Sequence, residues 1–130
     1  EQRFSSIEHV HHATKYPHDE SFYFRFSVDG MHGGDPLVAK LAGGKLGAVH
    51  KKLTPLLRRP SHLTMDPDWR TKLHSYLVEA QLSKYRTHQH LRDLLLATED
   101  AKLTHFIRGR EAVVCLPLML ARSILRREAA

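Results

Sequence analysis

A single cysteine, Cys115, rules out an internal disulfide framework and fits a reducing intracellular compartment. It lies in an apolar run, where a thiol behaves as a small hydrophobe, so we expect it buried and structural. Long apolar runs are missing as well. The longest, Ala112 to Ala121, is too short to span a bilayer and is broken by Pro117, so a soluble protein or subunit with no membrane span is expected. No glycine-rich phosphate loop of recognised spacing occurs, and Gly33-Gly34 and Gly43-Gly44 read as turns. Aromatic residues are only 8% of the chain and do not interleave with basic ones as a base-stacking platform requires. Repeats, low-complexity tracts and a signal peptide are all lacking. The chain opens at Glu1, which leads us to expect a processed or truncated form, a removed organellar presequence being one explanation.

Acid is scarce: 14 Asp and Glu face 20 Lys and Arg, giving a net charge of +6 and a pI near 9.7. Such a surplus favours acidic partners, RNA or the protein subunits of a large complex among them. With 130 residues and 42% hydrophobic content, one domain over residues 1–130 around one core is expected.

Local signals predict mostly helices. Ser5-Ser6-Ile7-Glu8 has the Ser-x-x-Glu form of a capping box, starting a helix near Ser6 that stops before Pro17. Ser21 to Val28 alternates aromatic with smaller or polar residues and fits either a strand or a helix. Asp35-Pro36 and Asp66-Pro67-Asp68 each pair a cap with proline, the first leading to a Gly43-Gly44 stop. The second leads into Trp69, Leu73, Tyr76, Leu77, Ala80 and Lys84 at helical spacing. A further helix is predicted from about Thr87, a short strand within Lys102 to Ile107, and a last helix whose apolar face is Val113, Leu116, Leu120 and Ile124. Cations at Arg122, Arg126 and Arg127 suit the end of that helix. Lys45, Lys51, Lys52, Arg58 and Arg59 fall in a stretch without acid, either an anion-binding segment or a solvated loop. The 11 histidines include His9, His11 and His12 beside Glu8, but one Glu8-x-x-His11 step does not make a metal site, and neither metal nor cofactor is expected. His88, His90 and His105 are expected at the surface.

Several blocks resemble the NADAR family of N-glycosidases. Ser6-Ile7-Glu8-His9 with Ala13, Lys15 and Tyr16 is similar to that family's early Glu-His helix, and Ala39 to Lys45 to the small-residue, glycine and basic segment after it. Trp69, Lys84-Tyr85, Leu91-Arg92 and Leu94 to Leu103 resemble its second half, and Leu118-Met119 with Arg122 its terminal helix. The resemblance implies an α+β, predominantly helical fold and hydrolysis of N-glycosidic bonds of phosphoribosyl or ADP-ribosyl substrates, with Glu8 central to catalysis. A carboxylate beside an oxocarbenium-like centre stabilises positive charge or activates water. Lys45 and Lys84 would suit phosphate as point charges.

The pattern is also degenerate. Only seven residues precede Glu8, where the family has a strand-and-loop segment that helps build the pocket. No tryptophan follows Leu103, and Ala112 to Cys115 stand where the family has Asn-x-Leu-Gly. Catalysis depends on a complete positioning set. The expectation is therefore a non-catalytic scaffold or interaction subunit of a larger assembly, an organellar ribonucleoprotein such as a mitochondrial ribosome. There Lys45, Lys51, Lys52, Arg58, Arg59, Arg126 and Arg127 would meet phosphates or acidic neighbours. The alternatives are an active N-glycosidase or ADP-ribosyl hydrolase acting through Glu8, and a sensor that binds the vestigial ADP-ribose or ribosyl-phosphate ligand without hydrolysis.

Overall fold

Ser6 decides where the first helix begins. In the computed structural model, which describes residues 2–45, 47 and 59–130, Ser6 is extended and its Oγ accepts from the His9 amide at 3.3 Å. Helix α1 is Ile7–Ala13. The Ser-x-x-Glu capping box expected from Ser5 and Glu8 does not form. With Ser6 as the cap, Glu8 stands one position too early to reach back, and Ser5 Oγ instead donates to the Gly33 carbonyl at 2.5 Å.

The span left open between strand and helix is helical. Asp19 accepts from the Phe22 amide at 2.8 Å and starts α2, Glu20–Arg25. Helical spacing puts Phe22 and Phe26 one turn apart on one face, and both are buried. Alternation along the sequence therefore reflects an aromatic stripe on a short helix. Asp35 caps α3, Pro36–Gly43, through the Leu37 amide at 2.9 Å. Helix α4 runs Trp69–Thr87, α5 Gln89–Ala97 and α6 Leu116–Ala129. Two short strands, β1 Thr104–His105 and β2 Val113–Val114, pair antiparallel with Thr104 opposite Val114 and His105 opposite Val113. Among the described residues the chain is thus mostly helical with two short strands, as expected of the coarse fold class.

Two units divide the chain, Glu1–Tyr76 and Leu77–Ala130, the division falling within α4. In the first, α1 packs on α2 and α3 around Ala13, Tyr16, Phe22, Phe26, Ala39 and Ala42. Edge-to-face ring pairs run through this core, Tyr16 to Phe22 at 5.1 Å and Phe22 to Phe26 at 5.3 Å. In the second, α5 packs on α6 around Val78, Leu82, Leu95, Ala121 and Leu125.

Two sequence expectations are corrected in that second unit. Val113 belongs to β2 rather than to the last helix, and Leu116 and Leu120 are 59% and 41% exposed. At about 100° per residue, Ala121 and Leu125 lie on the side of α6 opposite Leu116 and Leu120. The core face is therefore turned to Ala121 and Leu125, with Ile124 of the expected stripe packed at its edge. Cys115 is only partly buried, at the start of α6. Among the described residues no helix is long and apolar enough to cross a membrane.

Candidate functional site

Freed from capping, Glu8 turns to a neighbour one helical turn on. His12 Nε2 donates to Glu8 Oε1 at 2.8 Å. On the other edge of the same ring, Lys15 Nζ lies 3.1 Å from His12 Nδ1. An ammonium only donates, so Nδ1 accepts and the ring proton sits on Nε2, facing Glu8. Glu8, His12 and Lys15 are thus joined through one imidazole. The expected Glu8-x-x-His11 step is not what pairs. A spacing of four along α1, and the turn just past its end in which the Lys15 amide donates to the His12 carbonyl at 3.3 Å, bring these three side chains together.

The surroundings fix this arrangement. His12 is buried, and a Cβ on Gly43 would lie 2.4 Å from its Cβ, so α3 approaches the ring only through glycine. The Gly43 carbonyl also accepts from Lys15 Nζ at 3.0 Å. Lys15 lies 5.1 Å from the Trp69 ring centroid, a cation–π contact. Trp69 is itself anchored, donating from Nε1 to Thr14 Oγ1 at 3.1 Å. His11 meets Trp69 edge-on at 5.1 Å and His12 at 4.9 Å.

Electrostatics follow from these contacts. The hydrogen bond from His12 holds the Glu8 carboxyl below its usual range, against partial burial that pushes it upward. Burial lowers the Lys15 ammonium, and the charge of Arg59 adds to that while Glu8 opposes it. His11 is pushed down to about 4, first by burial and then by His12 and Lys15. Perturbed groups gathered in one place are a common mark of functional sites. Chemically, Glu8 is a partly exposed, ionised carboxylate whose side chain keeps 40% of its accessible surface. It is suited to stabilise developing positive charge or to orient water.

The predicted cations take several roles. Arg59 turns inward, donating to the Gly44 and Lys45 carbonyls at 2.8 and 3.3 Å and stacking 5.3 Å from the Tyr16 ring. It thereby covers carbonyls at the end of α3. Lys45 is exposed beside it. Lys84 belongs to the second unit, where it lies 5.4 Å over the Tyr85 ring. Arg126 is engaged by Asp100 at 2.9 Å and by the Glu99 carbonyl, while Arg127 is exposed. Lys51, Lys52 and Arg58 lie outside the described residues.

His12, Gly43 and the wall formed by Trp69 are the members that sequence reasoning left unassigned. Glu8 and His12 carried a signal in their spacing, whereas Gly43 and Trp69 carried none near Glu8. A hollow of about 440 Å³ in the first unit is lined by Gln2, Thr14, Pro17, Glu20, Tyr23 and Tyr76, sharing Thr14 with the Trp69 anchor. Among the described residues no three His, Cys, Asp or Glu side chains converge as metal ligands. Compared with protein-family profiles, curated proteins and solved structures, the chain has no match.

Proposed function

We propose that the chain is a degenerate NADAR-like domain whose Glu8 still serves a ribosyl centre, as an N-glycosidase or ADP-ribosyl hydrolase. One observation carries this reading: Glu8 does not cap its helix but is held, ionised, by a buried histidine that Lys15 orients from behind. A carboxylate kept charged and half exposed stabilises the oxocarbenium-like centre left as the N-glycosidic bond breaks, or orients the water that attacks it. The Lys15 ammonium, fixed by His12 and Gly43, adds positive charge suited to a phosphorylated substrate. The test is turnover of phosphoribosyl and ADP-ribosyl substrates by the wild type and by Glu8→Gln. Turnover lost in the variant, with folding retained, supports the reading. Equal inertness of both proteins with every such substrate rejects it.

A second reading makes the chain a scaffold subunit of an organellar ribonucleoprotein, such as a mitochondrial ribosome. It is favoured by side chains of the second unit that lie open, Phe106 at 76%, Leu94 at 64% and Leu116 at 59% exposed, in a chain of net charge +6. Sedimentation from a gentle lysate with and without RNase tests it. Comigration with a large RNase-sensitive particle supports this role, and a slow RNase-indifferent peak excludes it.

A further inference from the structure

His32 is fully buried, and neither of its ring nitrogens has a hydrogen-bond partner. An imidazole in that state is uncommon, because a desolvated polar nitrogen without a partner is costly. It lies 5.2 Å from the Phe26 ring, at the end of a turn that follows α2. That turn is tightly seated. The His32 amide donates to the Arg25 carbonyl at 2.7 Å, and a Cβ on Gly33 would lie 2.0 Å from the Ser27 carbonyl oxygen.

The same turn holds the start of α1. His9 Nε2 donates to the His32 carbonyl at 2.7 Å, Ser5 Oγ donates to the Gly33 carbonyl, and the Val28 amide donates to the Arg3 carbonyl at 2.8 Å. Each tether ends on the segment immediately before or beside Glu8. If the His32 ring leaves the core, its own carbonyl and that of Gly33 leave with it, and the first turn of α1 loses its attachments.

We infer that the turn over residues 27–33 is an acid-released clasp on the helix that carries Glu8, opened when the His32 imidazole takes up a proton. The groups facing that ring give a proton no welcome. From α2 comes the Arg25 guanidinium, and from α1 the His9 imidazole, already bonded to Ser6 Oγ at 2.6 Å and to the His32 carbonyl. Asp29, within the turn, is exposed. Burial, then Arg25 and His9, push His32 down to about 4. The closed turn therefore binds a proton poorly and the open turn binds one readily. Closure is favoured at neutral pH and is lost progressively as pH falls from about 6.5 toward 4. The consequence for catalysis rests on the Glu8 reading, whereas the clasp itself does not.

The experiment follows amide hydrogen exchange in α1, corrected for intrinsic pH dependence, in the full chain and in His32→Phe, which keeps an aromatic ring and removes the titration. On going from about pH 7 to about pH 5.5, wild-type protection across Ile7–Ala13 should fall about ten-fold further than that of His32→Phe, whose remaining loss belongs to His11. Parallel loss in both proteins, or in neither, overturns the clasp. Should His32→Phe not fold, ring-proton spectra of wild-type His32 decide instead. Proton uptake coincident with loss of α1 protection supports the proposal, and uptake with α1 still protected overturns it. Glu8→Gln should keep the pH response whatever its turnover, so failure of the glycosidase reading is told apart from failure of the clasp.

Discussion

Gly43 and His12 touch across the α1–α3 contact so closely that a methyl group on Gly43 would lie 2.4 to 2.5 Å from the His12 Cβ, Cγ and Nδ1 atoms. Gly43→Ala must therefore push the imidazole away from Glu8 or lift α3 from α1. Overpacking of this kind costs about 1–3 kcal/mol. Urea unfolding should show that loss, and any Glu8-dependent turnover should fall further than stability alone explains. A variant as stable as the wild type would mean that α3 yields without strain.

Trp69→Phe keeps the aromatic wall while removing the indole N–H that reaches Thr14 Oγ1. Loss of one buried hydrogen bond, with a smaller ring beneath Lys15, should lower stability by about 1–2 kcal/mol in thermal or urea unfolding. A double cycle with Thr14→Val isolates the bond, and a coupling energy near zero would show that the indole is held by packing alone.

Caps were legible because they are local. Asp19 did not stand out, but Ser6, Asp35 and the Asp66-Pro67-Asp68 start each mark a helix beginning within a residue or two of its observed place. The stripe of α6 was not legible, since Leu116, Leu118, Met119 and Leu120 are all apolar and periodicity there selects no face. Burial of Ala121, Arg122 and Leu125 is decided by packing on α5. On α4 the deepest residues after Trp69 are Val78 and Leu82, whereas Leu73, Tyr76, Leu77 and Ala80 of the expected stripe are only partly buried. In the candidate site, Glu8 was singled out by the resemblance stated from the sequence, and His12 was within reach of simple helix spacing. Gly43 and Trp69 are distant in sequence from Glu8, and only tertiary contact assigns them.

Acid should weaken the first unit through His11 as well as through the clasp. His11 is held neutral in the fold, at about 4 against an ordinary 6.5, so the unfolded chain binds the proton first. Stability therefore rises with pH across that window and falls as pH drops from 6.5 toward 4. The Glu8 carboxyl acts lower on the scale: its contribution is present above about 4.5 and disappears as pH falls through its depressed folded value. For the partly buried His11, a loss on the order of 2 kcal/mol is expected after allowance for solvent screening. His11→Phe should flatten that part of a stability-versus-pH curve measured in urea. An unchanged curve would assign the acid response to His32 and Glu8.

Arg122 and Thr98 give the sharpest asymmetry in the second unit. Arg122 is 5% exposed, and its Nη1 donates to Thr98 Oγ1 at 2.7 Å, the hydroxyl in turn donating to the Leu95 carbonyl. Removing the acceptor strands a buried cation, whereas removing the cation leaves a hydroxyl that keeps its own acceptor. Thr98→Val should therefore cost about 2 kcal/mol, and Arg122→Met, which retains the aliphatic stem, should stay within about 1 kcal/mol of the wild type. The exposed pair of Arg126 with Asp100, the latter's side chain 94% accessible, should contribute less than about 1 kcal/mol on Asp100→Asn. Urea midpoints of the three variants rank these directly. If Arg122→Met proved the most damaging, the guanidinium would be contributing more to the α5–α6 packing than its bond to Thr98 accounts for.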